Sequence, residues 1–126
     1  VTIGVTFDAG GLIAADRGDR RALVLLARAT EVGAHVTVPA TALAQAIRMP
    51  ERQARLARMI RQPGTAVVSL DRVDATSIGR LLATSGTADI ADAHVVICAR
   101  RGSQQVVTSD PDDLRRLDPL LEMVVV

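Results

Sequence analysis

The sequence predicts a three-layer α/β/α domain built on a central parallel sheet, and three observations carry that reading. Short valine-rich segments alternate along the chain with segments whose apolar residues recur at helical spacing. The short segments are apolar on both faces, as strands are when helices cover both sides of a parallel sheet. The 126 residues are the size of one ordinary domain, so a single domain spanning residues 1–126 is expected. A chain of this length buries roughly 65–70% of the surface it exposes when unfolded and needs no staples.

Residues 2–7 read as the first strand, ended by Asp8-Ala9-Gly10-Gly11, and Leu12 to Ala15 as a short helical turn. From Arg20 to Val32 the residues Leu23, Leu26 and Ala27 recur at helical spacing, with Arg20, Arg21 and Arg28 off the stripe and Gly33 as the stop. The stripe is expected in the core. His35 to Val38 form a second strand, and Pro39 opens a helix to about Arg48. Met49-Pro50 breaks it, another helix runs to about Arg61, and Gln62-Pro63-Gly64 makes a turn. Ala66 to Leu70 is a third strand. Asp74 is expected to cap the next helix, which carries Ile78, Leu81 and Leu82 and closes near Gly86. Asp89 to Arg101 is a further helix, Gln105 to Thr108 a fourth strand, Pro111 to Leu117 the last helix and Met123 to Val126 the last strand.

Composition narrows the chemistry. With 48% hydrophobic and 23% charged residues, the chain falls in the globular class and not the disordered one. The longest apolar run is six residues, Ala22 to Ala27, against the ~20 that span a bilayer, so no membrane protein is expected. No basic-then-apolar leader opens the sequence, and Cys98 is the only cysteine, so a cytoplasmic setting is expected. One cysteine forms neither an intrachain disulfide nor a structural zinc site, and Cys98 reads as a small buried hydrophobe on a helix. All 15 Lys+Arg residues are arginine. The lack of lysine excludes a Walker A loop and a Schiff-base lysine. Phe7 is the only aromatic residue, which excludes modules that stack bases on aromatic platforms. A net charge of +1 gives no overall steering field, so any basic surface must be local. His35 and His94 lie far apart without ligand-spaced companions and read as structural.

In parallel sheets ligands bind beyond the carboxyl ends of the strands, where strand order reverses. Asp8 follows the first strand and Asp110 the fourth, while Asp89 and Asp92 lie three apart at a helix start. Each has a plain use as a helix cap: Asp110 before Pro111 with Asp113 at N3, Asp89 with Asp92, and Asp8 before its turn. Capping does not exclude function, because a helix N-terminus favours the ionised carboxylate that a metal needs. Carboxylates brought together repel by about 4 kcal/mol per pair at 4 Å and an effective dielectric near 20. A divalent cation relieves that repulsion, and oxygen-only donors select Mg²⁺ or Mn²⁺ over zinc.

Four segments resemble a known family: Phe7-Asp8-Ala9-Gly10-Gly11-Leu12-Ile13-Ala14, Val36-Thr37-Val38-Pro39-Ala40 with the helix after it, Asp89-Ile90-Ala91-Asp92-Ala93-His94, and Val107-Thr108-Ser109-Asp110-Pro111-Asp112-Asp113-Leu114. In this order and separation they are similar to the PIN domain, and more narrowly to the VapC-type toxins of bacterial toxin–antitoxin pairs. The resemblance implies a PIN-like fold, an Mg²⁺- or Mn²⁺-dependent ribonuclease acting on RNA, a homodimer, and a VapB-like antitoxin that blocks the acidic pocket. It places Asp8, Asp92 and Asp110 at the catalytic, metal-holding positions, and Asp89 and Asp113 at accessory acidic ones.

The chain departs from the family pattern twice. Gln45 stands where a glutamate is usual on the helix after the second strand, and offers a carbonyl oxygen but no charge. Ala9 and Gly10 replace a hydroxyl or amide side chain after the first aspartate, with the expected loss of a supporting hydrogen bond. Gln45 leaves open an alternative, a catalytically weakened PIN-fold protein that binds RNA or antitoxin. Arg48, Arg52, Arg55 and Arg58 recur at helical spacing and read as a phosphate track for RNA, or else as a solvated face. If the stripe Leu23, Leu26, Ala27 is not core, it is a groove for the antitoxin.

Overall fold

Residues 4–126 are described by a computed structural model; Thr2 and Ile3, assigned above to the first strand, lie outside the described residues. The strands are β1 (Val5–Phe7), β2 (Val36–Pro39), β3 (Thr65–Val68), β4 (Gln105–Thr108) and β5 (Met123–Val125). Among the described residues they form one five-stranded sheet in the order β3-β2-β1-β4-β5, with every pairing parallel. The chain first builds outward from β1 to β3, then returns to lay β4 on the other side of β1. Strand order therefore reverses between β1 and β4. Among the described residues seven α-helices flank the sheet and complete the three layers: α1 (Ala9–Asp16), α2 (Arg20–Val32), α3 (Ala40–Ala46), α4 (Ala54–Ile60), α5 (Arg72–Ser85), α6 (Ile90–Gly102) and α7 (Pro111–Leu117). Among the described residues no single helix is long and apolar enough to cross a membrane.

Phe7, Val38, Val106 and Val107 from the sheet are fully buried against Leu12, Val95, Val96 and Leu114 from the helices. The central helix is α6, with Ala91, Ala93, His94, Val95, Val96, Cys98 and Ala99 all buried. Its alanines let neighbouring helices approach closely, and α3, α5 and α7 all pack on it. That packing determines where its N-terminus, with Asp89 and Asp92, is held.

Several local expectations change. Leu12 to Ala15 are not an isolated turn but part of α1, which starts directly after Asp8 because the Asp8 carboxylate accepts from the Gly11 amide at 2.7 Å. The cap of α5 is Asp71, which accepts from the Asp74 amide at 2.8 Å, and Asp74 itself points into the protein. On α2 the core face runs through Ala22 and Ala29, with Leu25 and Leu26 packed beside them. Leu23, Val24 and Val32 are 38%, 48% and 61% exposed, so the expected core stripe is turned partly outward. The small alanines allow α2 to lie close to the domain, while Leu23, Val24 and Val32 face outward.

The stretch 47–53 is not helical apart from a 3-10 turn at Pro50–Arg52. Buried Gln53 holds this break together: its Oε1 accepts from the amides of Arg48 and Met49, and its Nε2 donates to the Ala46 carbonyl. The donors and acceptors freed by Pro50 are thus satisfied by one side chain. As a result Arg48, Arg52, Arg55 and Arg58 do not form one helical stripe.

Gly11 shows how tightly α1 sits on β4. A Cβ there would lie 2.2 Å from the Val107 carbonyl oxygen. Gly11→Ala is expected to destabilise the domain by about 1–3 kcal/mol, as overpacking does, while Gly79→Ala on α5, where a Cβ meets nothing within 4 Å, is expected to be neutral or stabilising by up to about 1 kcal/mol. Urea unfolding of both variants checks this, and equal effects would refute the close approach.

Candidate functional site

The reversal between β1 and β4 places two strand ends side by side, with Phe7 in register with Val107. Asp8 is the next residue on one strand and Thr108 lies opposite it on the other. The Thr108 hydroxyl donates to Asp8 Oδ2 and accepts from the Asp110 amide at 2.9 Å. Asp8 is buried, and its two oxygens are divided between the Gly11 amide and Thr108. Thr108 on β4 thus gives Asp8 a side-chain hydrogen bond of a kind that neither Ala9 nor Gly10 can supply. At Gly10 a Cβ would lie 2.1 Å from Ser109 Oγ, so the backbone here is held close to the β4 end.

Asp110 occupies the N-cap position of α7 but makes no side-chain cap hydrogen bond. Its carboxylate is exposed rather than spent on the helix. The cap reading therefore holds for Asp8 and Asp89, whose side chains accept from Gly11 and Asp92 amides, and does not hold for Asp110. Asp92, in the first turn of α6, is half-buried.

The carboxylates act on one another. Burial pushes Asp92 up to about 7, and the charges of Asp89, Asp8, Asp113 and Asp110 push in the same direction. Burial also raises Asp8, opposed by its hydrogen bonds from Thr108 and Gly11 and reinforced by Asp110. Asp8, Asp89, Asp92, Asp110 and Asp113 thus share one electrostatic neighbourhood, although they come from three different helix starts. Asp113 also lies 3.7 Å from Arg116, one turn on.

Gln45 is exposed on α3, a helix that packs against both α1 and α6. One turn earlier, Thr41 is hydrogen-bonded to His94 Nδ1 on α6 at 2.8 Å. Residues four apart share a helix face, so Gln45 lies on the same face of α3 as Thr41, with its side chain exposed.

The four arginines divide into two pairs. Arg48 and Arg52 line a cavity of about 520 Å³ together with Arg17, Asp16, Gly10 and Ser109. None of Asp8, Asp89, Asp92, Asp110 and Asp113 lines this cavity, although Gly10 and Ser109 are close in sequence to Asp8 and Asp110. Arg55 and Arg58 instead line a separate recess of about 220 Å³ with Ala15, Leu23 and Leu26. Sequence reasoning missed Thr108 and Arg17. The signal for Thr108 was a hydroxyl at a strand end, two residues before an aspartate; Arg17, in the turn after α1, carries no periodic signal. It also missed that His94 and Cys98, four apart on α6, meet Asp74 of α5 inside the protein.

The profile of the PIN domain matches residues 6–119. No curated protein matches the sequence. Among solved structures, the chain is similar to VapBC2 from Rickettsia felis bound to a DNA fragment from their promoter, with a TM-score of 0.68 and 12% identity over 98% of each chain. It is also similar to FitAcB from Neisseria gonorrhoeae, with a TM-score of 0.63 and 18% identity over 94% of this chain and 95% of that one. At these identities the likeness is one of fold.

A carboxyl with a higher pKa in the folded than in the unfolded state contributes stability that is full below the unfolded value. That contribution disappears as pH rises through the folded value. For Asp92 the loss spans roughly pH 4 to 7. In the absence of divalent ions, Asp92→Asn is expected to melt at a higher temperature than wild type near neutral pH, with the gap closing toward about pH 4. Calorimetry in chelator across this range is the check, and a gap that does not change with pH would remove the electrostatic account.

Proposed function

The chain belongs to the PIN domain family, and from that premise we propose that it is a metal-dependent endoribonuclease of the VapC type. What supports the proposal is that Asp8 and the turn to Asp110 follow the two strands at the order reversal, and that both aspartates, with Asp89 and Asp113, add to burial in pushing Asp92 up to about 7. The donor set fits a hard divalent cation: all three are oxygen ligands, and a cation offsets the repulsion that raises Asp92. When bound, Mg²⁺ or Mn²⁺ supplies a Lewis acid that activates water and neutralises charge developing on a phosphodiester.

The protein's own groups do the rest. Asp8, fixed by Thr108 and the Gly11 amide, and Asp110, free of capping duty, present carboxylate oxygens from the two strand ends. Asp92 presents a third from α6, with Asp89 and Asp113 adding negative potential around it. Arg48 and Arg52, with Arg17, hold RNA phosphates in the cavity they line. Arg55 and Arg58 lie on another side and contribute at most to a longer RNA path.

The partners proposed are a VapB-like antitoxin and a second copy of the chain, in a cytoplasmic setting. Exposed Leu23, Val24 and Val32 on α2 support an apolar docking face. Gln45 favours a second reading, an RNA- or antitoxin-binding protein with weakened catalysis. A neutral amide in place of a carboxylate forgoes attraction to a divalent ion on the order of a few kcal/mol.

Incubation of a total RNA pool with Mn²⁺ or Mg²⁺ tests the proposal. Wild type is expected to cleave, Asp8→Asn to lose at least about 100-fold, and Thr108→Val to lose about 10–100-fold, the range for groups that orient metal ligands. Absence of cleavage by wild type with either ion would reject the enzyme in favour of the binding protein.

Gln45→Glu separates the two readings further. The variant is expected to bind Mn²⁺ more tightly and to cleave faster than wild type, as read by titration calorimetry and initial rates. Unchanged Mn²⁺ affinity would show that Gln45 does not address the ion.

A further inference from the structure

Away from the acidic pocket, α5 and α6 enclose three donors that the proposed nuclease does not use. Asp74 is 2% exposed, His94 0% and Cys98 4%. One ligand atom from each lies within 4.8 Å of the other two. The geometry points to a second, buried metal site in which Asp74 Oδ2, His94 Nε2 and Cys98 Sγ hold a zinc-class transition ion.

Two of these atoms are orphaned. Among the described residues, Asp74 Oδ2 and His94 Nε2 are the buried side-chain polar atoms without a hydrogen-bond partner. Atoms left without a hydrogen bond inside a protein are costly, and a bound ion relieves that cost. They lie 3.4 Å apart. Bonds of about 2.0–2.1 Å from a tetrahedral ion to nitrogen and oxygen place those two ligands about 3.4 Å from each other. The separation that makes a poor hydrogen bond is therefore the edge of a coordination tetrahedron.

The other atoms of the site are already placed to orient it. Thr41 Oγ1 engages His94 Nδ1 at 2.8 Å, leaving Nε2 as the ligating nitrogen. Arg101 is hydrogen-bonded to Asp74 Oδ1, which turns Oδ2 inward. His94 and Cys98 are one helical turn apart, so both side chains leave α6 on the same face. A carboxylate, an imidazole and a thiolate form a mixed set suited to Zn²⁺ and unlike the all-oxygen set at Asp8, Asp92 and Asp110. Burial pushes the Cys98 thiol up to about 11, so an ion must displace its proton. Such an ion would clamp α5 to α6 and, through Thr41, fix α3.

Cobalt(II) tests the site independently of RNA cleavage, because Cys98 is the only thiol in the chain. The full chain is stripped with chelator and titrated with Co²⁺ in two forms, wild type and Asp8→Asn/Asp92→Asn. In both forms one Co²⁺ per chain is expected to give a thiolate-to-cobalt charge-transfer band and the intense visible bands of a tetrahedral ion. Thr41→Val is expected to weaken that binding about 10–100-fold, and Cys98→Ala to abolish the band. Failure of Cys98→Ala to fold leaves the test intact, since the band in the double variant already identifies the sole thiol. Co²⁺ bound without a thiolate band, or no Co²⁺ bound once the acidic pocket is disabled, overturns the proposal. Neither result bears on the nuclease, whose test is cleavage.

Discussion

The Thr108 hydroxyl is the contact on which the arrangement of the acidic residues depends. It joins the ends of two adjacent parallel strands that the chain reaches a hundred residues apart, donating to Asp8 and accepting from the Asp110 amide. With one donor and two lone pairs, a hydroxyl can serve both partners at once. A valine at the same place would fill the β-strand equally well but leave Asp8 Oδ2 buried beside apolar atoms. The helix that follows Asp8 also relies on this contact, since the same carboxylate caps α1 through its other oxygen. Orientation of Asp8, the start of α1 and the turn into α7 are thus coupled through one side chain.

Around that contact the fold collects like charges and partly compensates them. The N-termini of α1, α6 and α7 all face the carboxylates, and helix starts carry partial positive charge that favours ionised groups nearby. Asp8 and Asp89 take a cap hydrogen bond as well. Asp92 does not share in this to the same degree. It is half-buried, surrounded by four other acidic residues, and held near 7. The residual strain falls on Asp92 and, opposed by its hydrogen bonds, on Asp8, which agrees with the general tendency of perturbed groups to mark functional sites.

The fold was legible in the sequence because its signals are local: valine-rich strands, glycine stops, Pro111 at a helix start. The strand-end aspartates were legible for the same reason. What failed were inferences that assumed an uninterrupted helix or a generic cap. Gln53 replaces the helical hydrogen bonds lost near Pro50, so the spacing of Arg48, Arg52, Arg55 and Arg58 no longer implies one face. Asp71 and Asp74 are both acceptable caps three residues apart, and only the burial of Asp74 against His94 and Arg101 decides between them. On α2, hydropathy favours the leucines for the core, whereas close packing selects Ala22 and Ala29. In the last two cases a long-range contact outweighed a local preference; at Gln53 one side chain took over the local hydrogen bonds.

Gln45 is best understood through the same balance of charge. Asp92 already sits near 7 with a neutral amide on the neighbouring helix. In the proposed site, a glutamate there would add one more negative charge to a cluster whose members come from three helix starts. Each close carboxylate pair in such a setting repels by about 4 kcal/mol at an effective dielectric near 20, which is a large part of the ~5–15 kcal/mol that holds a domain folded. A glutamate strengthens the hold on a cation but makes the ion-free state harder to keep folded; a glutamine does the reverse. The exchange is the usual one between a stable scaffold and a strained, more active site. In the proposed nuclease, Gln45 therefore shifts dependence from the resident carboxylates to other sources of negative charge, of which a substrate phosphate is one.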